Sequence, residues 1–412
     1  VGSEMCIRDR SFHLTEIGYR SDENILESMA VSTQDRYDID NFAETASNGI
    51  LNDIWDAWYN GIYRCNDVLD HLAGAKIANY DKYRGECLFL RSWWYFNLYR
   101  VFGVVPITRT VVTPAAAKLI PRCTEEEMYT LLTEDLAEAA RLLPPTPGPE
   151  KARVANIAAY TLLAKVYLTF GKPAEAKTAL EEAMKNPNYG LESTTKKVFD
   201  VANKMNREII FALYYNKTND NGHGYWYSAN TDVLADINNP TPTFKAIYDG
   251  EKDNRLPLIS TYTKIKDNLF AMTKWYDTYD ATYTTQVGND FPHLRYADVV
   301  LMYAEALAES GSSLGDALVW LNKTRTRAGL DELTTDEVKS LAEFRRELAA
   351  ERGREFALEG HRWFDLVRLG LAVEYFRDLG YTLDAHNLIF PIPQNQIEIV
   401  NNPSILWQNP GF

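Results

Sequence analysis

The stretch ANIAAYTLLAKVYLTFGKPAEAKTALEEAMKN (155–186) decides how this chain folds. Apolar residues recur at helical spacing as far as Gly171, and Pro173 then opens a second helical pattern. Glycine ends a helix because it accepts the left-handed conformation. Proline suits a first helical position because the N–H it lacks would have had no partner there. The first half, 155–171, is the most apolar run in the chain, but Asn156 and Lys165 interrupt it. A bilayer span needs about 20 consecutive apolar residues, so this is read as a buried helix of a helical hairpin.

A second hairpin of the same form lies far downstream, YADVVLMYAEALAESGSSLGDALVWLNKTRTRAGL (296–330). Ala164 and Ala304 each precede their glycine, Gly171 and Gly311, by seven residues. The helix, glycine turn and helix, with small residues at the close contacts, resemble a tetratricopeptide-type repeat. Upstream, ILNDIWDAWYNGIYRCNDVLDHL (50–72) and DKYRGECLFLRSWWYFNLYRVFG (81–103) carry the same periodicity, the second stopped by Gly103 and Pro106. TEEEMYTLLTEDLAEAARLL (124–143) begins with Thr124 as N-cap and Glu127 three residues on, then ends in the turn-rich PPTPGP (144–149). Trp55, Trp58, Trp93, Trp94 and Trp363 fall on helical faces and are expected in the core. The fold class predicted is mostly α: tetratricopeptide-like helical pairs forming an α–α superhelix, with a long irregular insertion.

That insertion is the middle of the chain. EIIFALYY (208–215) is a short β-type run, and from Asn216 to about Pro292 turn residues and aromatics replace long periodic stretches. A structureless loop of that length is uncommon in a compact domain, which predicts an elaborate insertion packed on the helices. The tail has helical patterns over 341–360 and 361–380, then an extended, Pro- and Asn-rich finish over 389–412. Within ELAAERGREFALEGHRWFDLVRLG (347–370), Glu347, Glu351, Arg354 and Glu355 recur at offsets where opposite charges pair along a helix. They are expected on a solvated face, with Phe356, Trp363, Phe364 and Leu366 on the packed side. The organisation expected is an N-terminal edge over 1–10 foreign to the fold, then one domain over 11–412. Its helical scaffold covers about 49–187 and 294–330, its ligand-binding insertion about 188–293 and its C-terminal segment 331–412.

Composition narrows the function. The formal charge of −14 argues against nucleic acid, because such affinity comes largely from basic side chains neutralising phosphates. The chain has 412 residues, 46% of them hydrophobic, enough for one large core or two ordinary ones. Tyrosines (25) outnumber phenylalanines (17) and tryptophans (9), and a ring with a polar tip suits wet binding surfaces as well as cores. No phosphate loop, dinucleotide fingerprint, G-x-S-x-G elbow or H-E-x-x-H occurs, and no two of the six histidines stand i, i+4. No catalytic residue, metal ligand or cofactor is therefore assigned. Cys6, Cys65, Cys87 and Cys123 have no metal-type spacing, and Cys65 and Cys87 read as small apolar helix residues.

The chain resembles the SusD/RagB family of outer-membrane nutrient-binding lipoproteins. The likeness rests on W55DAWYNGIYRCN66, R84GECLFLRSWWYFNLYRVFGVVP106, A158AYTLLAKVYLTFGK172, E208IIFALYY215, PTPTFKAIYDGEKDNR (240–255) and L294RYADVVLMYAEALAESG311. It continues through LNKTRTRAGL (321–330), ERGREFALEGHRWFDLVRLG (351–370) and F390PIPQNQIEIVNNP403, in the family's order. The resemblance implies a non-catalytic protein on the outer face of the outer membrane. It would lie over a SusC-like TonB-dependent transporter and hold a glycan or other nutrient for import. Membrane attachment is expected only through a lipid anchor absent from this chain, because Cys6 in GSEMC lacks the apolar stretch that such processing requires and LTEIGYRSDE (14–23) joins partway into the family pattern. A peptide- or protein-binding helical-repeat scaffold is the alternative, and a glycoside hydrolase a third reading.

The family's sugar contacts lie in variable loops, so the site residues must come from chemistry. A sugar offers an apolar C–H face ringed by hydroxyls, which calls for flat aromatics edged by Asn, Asp, Gln or Arg. NDNGHGYWYSANTD (219–232) supplies Tyr225, Trp226 and Tyr227 with Asn230 and Asp232, and KWYDTYDATYTTQ (274–286) supplies Trp275, Tyr276, Tyr279 and Tyr283. Trp226 and Trp275 are the first choices. Tyr37 and Arg36, ahead of the Trp55 helix, complete the set.

Overall fold

The computed structural model describes residues 16–25, 34–148, 150, 152–215, 228–230, 239–266, 269–277 and 288–412. Short α1 (Gln34–Asp40) precedes α2 (Gly49–Leu72), α3 (Tyr80–Phe102), α4 (Glu125–Leu142), α5 (Asn156–Thr169) and α6 (Pro173–Met184). After the insertion come α7 (Tyr296–Glu309), α8 (Leu314–Ala328) and α9 (Leu341–Glu355), then α10 (Arg362–Arg368), α11 (Ala372–Asp378) and α12 (Gln394–Val400). Each of α2 to α8 packs on its successor, and α9 closes against α7 and α8. The hairpin over 155–186 and its downstream copy, 296–330, thus meet through α6 and α7 despite their separation in sequence. The protein is mostly α, an α–α superhelix of helical pairs.

The local signals act as their chemistry requires. At the start of α4, the Glu127 amide donates to Thr124 Oγ1 at 3.2 Å and the Thr124 amide to Glu127 Oε2 at 2.7 Å, a reciprocal capping box. Gly171 and Gly311 turn their hairpins at φ +67° and +86°, and Pro173 is the first residue of α6. Trp55, Trp58, Trp93, Trp94 and Trp363 are all buried, in one continuous apolar core with the faces of α2, α3, α4, α5 and α7. A Cβ at Gly61 would stand 2.3 Å from Trp94 Nε1, so a glycine there lets α2 approach α3. Cys65 and Cys87 sit on α2 and α3 as free thiols.

Two expectations for the tail are corrected. The pattern over 361–380 is two helices, because Gly370 at φ +71° ends α10 and α11 starts afresh. The finish over 389–412 is not wholly extended: Pro393 precedes α12 and its carbonyl accepts from the amides of Gln396 and Ile397, at 3.0 and 3.3 Å.

The larger correction concerns the charged run. Phe356, Trp363, Phe364 and Leu366 are buried as expected, but so are Glu351, Arg352, Arg354 and Glu355. Glu355 accepts from Arg327 Nη2 at 2.5 Å, Arg295 Nη1 at 3.0 Å and Arg255 Nη1 at 3.1 Å. Arg255, Arg295, Arg327, Arg354 and Lys274 are set among Asp253, Glu208, Glu351, Glu355 and Glu359, five cations against five acids. Buried charge is tolerated only when paired and hydrogen-bonded, and that balance is what permits it. Burial pushes the Glu355 carboxyl up, but Arg327, Arg295 and Arg255 outweigh it and hold the group well below the usual carboxylate range. Most of these partners lie outside 347–370, so helical offsets within the run could not reveal them.

β2 (Ile209–Leu213) pairs antiparallel with β7 (Phe291–Arg295), Leu213 opposite Phe291, which places the two ends of the insertion side by side. His293 on β7 has Trp93, Phe211 and Phe291 around it at ring distances of 4.9, 5.7 and 5.2 Å. Burial pushes its imidazole down to about 3, with Arg100 and Lys165 adding to the effect. Between its ordinary value of about 6.5 and about 3, only the unfolded chain takes up this proton. Stability is therefore complete above that window and falls with pH inside it, by about 1.4 kcal/mol per pH unit from this histidine. Denaturant titrations at several acidic pH values should show a shallower slope for His293→Gln; identical slopes would contradict the assignment.

Candidate functional site

The insertion is built around a three-stranded antiparallel sheet. β3 (Ser228–Asn230) pairs with β6 (Leu269–Met272), which pairs with β5 (Tyr262–Lys266). β1 (Asn24–Ile25), ahead of α1, pairs with β4 (Asn239–Pro240), stitching the N-terminal segment to the insertion. Thr241 Oγ1 extends the seam by donating to the Asp22 carbonyl at 2.7 Å. The same segment is fixed to the C-terminal helices. Arg362 Nε donates to Asp22 Oδ1 at 2.8 Å, and Tyr375 donates its hydroxyl proton to Asp22 Oδ2 at 2.5 Å. The Leu358 amide donates to Glu23 Oε1 at 3.2 Å. Burial and the neighbouring Asp22 push the Glu23 carboxyl up to about 8, so it is neutral at pH 7. Three distant stretches therefore meet: residues 22–25, the insertion, and α9 to α11.

The predicted site residues divide on this frame. Trp275, expected to offer its ring to a ligand, is 1% exposed. Its ring meets Phe199 edge-on at 5.2 Å and stacks on Phe291 at 5.7 Å. Neighbouring Lys274 reaches the Ala357 carbonyl at 2.5 Å and Glu359 Oε1 at 2.7 Å. This turn anchors the insertion to the scaffold, and the expectation of a solvent-facing Trp275 is corrected. Tyr276 beside it is half-buried, and its carbonyl accepts from Asn289 Nδ2 at 3.3 Å.

Asn230 closes β3 opposite Leu269. Tyr225, Trp226, Tyr227, Asp232, Tyr279 and Tyr283 lie outside the described residues. Tyr37 and Arg36 sit half-buried on α1, where Arg36 Nη2 pairs with Glu16 Oε1 at 2.9 Å. Among the described residues no group of His, Cys, Asp and Glu could hold a metal ion, and no helix is long and apolar enough to cross a membrane.

This mostly helical fold superposes on solved SusD-like proteins. A family model described as the SusD family matches residues 254–412, and another described as starch-binding associating with outer membrane matches residues 13–168. SusD-like protein P2 of Formosa agariphila is 27% identical over 428 residues, spanning 92% of this chain and 84% of that protein. A laminarin-binding SusD-like protein superposes with TM-score 0.80 at 23% identity, over 100% of this chain and 98% of its own. Surface glycan-binding protein A from Bacteroides thetaiotaomicron, in complex with laminarihexaose, superposes with TM-score 0.78 at 21% identity, over 96% and 93%. The chain belongs to the SusD/RagB family.

Proposed function

We propose that this protein captures a glycan at the outer face of a Gram-negative outer membrane and passes it, unaltered, to a TonB-dependent transporter. The observation that carries the reading is the pair of family matches at the two ends of the chain, one of them named for starch binding at the outer membrane. Two structural relatives named for laminarin or laminarihexaose binding add to it. The capture surface is assigned to the insertion: Tyr225, Trp226 and Tyr227, with Tyr276, Tyr279 and Tyr283, edged by Asn230 and Asp232. Tyr37 and Arg36 border it from the N-terminal segment.

Each ring stacked on a sugar contributes about 0.5–1.5 kcal/mol, by analogy with ring pairs. Two or three rings with a few hydrogen bonds then give a Kd between about 1 mM and 1 μM, loose enough for a cargo that must be handed on. Calorimetric titration with laminarin oligosaccharides, malto-oligosaccharides and short peptides tests the reading. Saturable glycan binding without product formation is expected. Binding of peptides alone would favour a helical-repeat scaffold, and turnover abolished by a single carboxylate substitution would favour a hydrolase. Trp226→Ala is expected to weaken glycan binding by about five- to ten-fold with little change in melting temperature. A variant that loses stability and keeps full affinity would show that this ring is an anchor.

A further inference from the structure

A cleft of about 550 Å³ opens where the C-terminal end of α3, the start of α4, α5, α10 and the chain's last residues converge, and no described residue of the insertion lines it. The size falls within the roughly 300–1,000 Å³ of small-molecule sites. One side presents Trp407, 41% exposed, whose ring lies over the Arg122 guanidinium at 4.9 Å. Arg122 is spent on structure, donating to the carbonyls of Val104 and Trp407 at 2.7 Å each and to Asn409 Oδ1 at 2.7 Å. It holds the tryptophan flat at the mouth.

Deeper lies Arg100, its guanidinium between the rings of Phe364, at 3.9 Å, and Phe96, at 4.8 Å. Its one hydrogen bond runs from Nη2 to Asn97 Oδ1, and it has no ion pair among the described residues. Lys165 and Arg368, which also line the cleft, are committed to Asp298 and to Glu305 with Asp365. Burial brings Arg100 down to about 9, outweighing the opposite pull of the Asp365 and Asp298 carboxylates, neither of which forms an ion pair with it. His361, 8% exposed, lines the same space and stacks on Phe356 at 4.7 Å, and its imidazole makes no hydrogen bond among the described residues. Burial pushes its imidazole well below its ordinary range, so it is neutral and can both donate and accept.

We propose that this cleft is a second ligand site, for a carboxylate-bearing sugar ring such as a uronate. The ring face stacks on Trp407, the carboxylate takes the unused donors of Arg100, and His361 engages a hydroxyl. One negative charge suits the site better than two, because Arg100 keeps unused guanidinium donors while the carboxylates of Asp365 and Glu125 line the same space. The site is separate from the capture surface of the insertion and does not rest on it.

The test is calorimetry on the whole chain with methyl β-D-glucuronide, methyl β-D-glucoside and acetate. The glucuronide is expected to bind at least about ten-fold tighter than the glucoside, the difference one charge-assisted hydrogen-bond pair makes. Acetate should fail to displace it. Trp407→Ala should weaken it about five-fold with an unchanged melting temperature, since the ring is partly exposed. Arg100→Gln should remove the preference for the glucuronide, and Arg100→Lys should restore part of it. Trp226→Ala, on the insertion, should leave this titration unaltered. Equal affinity for glucuronide and glucoside, equal competition by acetate, or a titration lost in Trp226→Ala and intact in Trp407→Ala would each overturn the proposal.

Discussion

Glu355→Ala is expected to lower folding stability by about 3–5 kcal/mol, the usual consequence of removing one partner from a buried ion pair. Glu355 is fully buried and touches three guanidiniums at once, those of Arg255, Arg295 and Arg327. Its removal leaves two carboxylates, Glu208 and Glu359, for Arg295, and Glu208 alone for Arg327. No solvent can screen the excess positive charge, so the penalty is one of desolvation rather than of a lost contact. Glu355→Gln keeps the shape without the charge and should retain most of the loss. The exposed pair Lys252 and Asp331, 2.5 Å apart, is the control: Asp331→Ala should scarcely move the unfolding midpoint, because water screens both partners. Denaturant unfolding of the three variants reads the difference. A mild Glu355→Ala would mean that the interior relaxes or admits water at the network.

Trp275→Ala is expected to cost about 3–5 kcal/mol of stability, through the cavity left by a fully buried indole. The cavity would open between Phe199 and Phe291, where the insertion is pinned to the scaffold. Glycan affinity, measured well below the unfolding midpoint, should stay near that of the unaltered protein. Trp226→Ala should do the reverse. Thermal unfolding and calorimetry on both variants form a crossed comparison. A Trp275→Ala protein of normal stability and poor affinity would put that ring back at the ligand.

The helical scaffold was legible because its signals are local. Periodicity over 155–186 and 296–330, the Thr124 and Glu127 pair and the glycines at 171 and 311 each act within a turn or two of helix. The core tryptophans followed from their place on those faces. Much less of the candidate site could be read. Trp275 and Trp226 occupy similar aromatic, polar surroundings in the sequence. Trp275 is nevertheless buried, because Lys274 meets Glu359 and the indole meets Phe199 and Phe291. Trp407 was not singled out at all, since a lone tryptophan in a Pro- and Asn-rich tail carries no periodic signal.

The sequence by itself determined the class of fold, the hairpin repeats and the family, because hydrophobic period, capping and turn chemistry need only near neighbours. Tertiary structure alone decided which charges are buried. Glu351 and Glu355 look solvent-facing by spacing, yet they find Arg255, Arg295 and Arg327 from segments remote along the chain. It also decided which ring anchors the insertion and where Arg100, His361 and Trp407 converge. Burial of a charge or an aromatic depends on what lies opposite in space, and that is settled only once distant segments have packed.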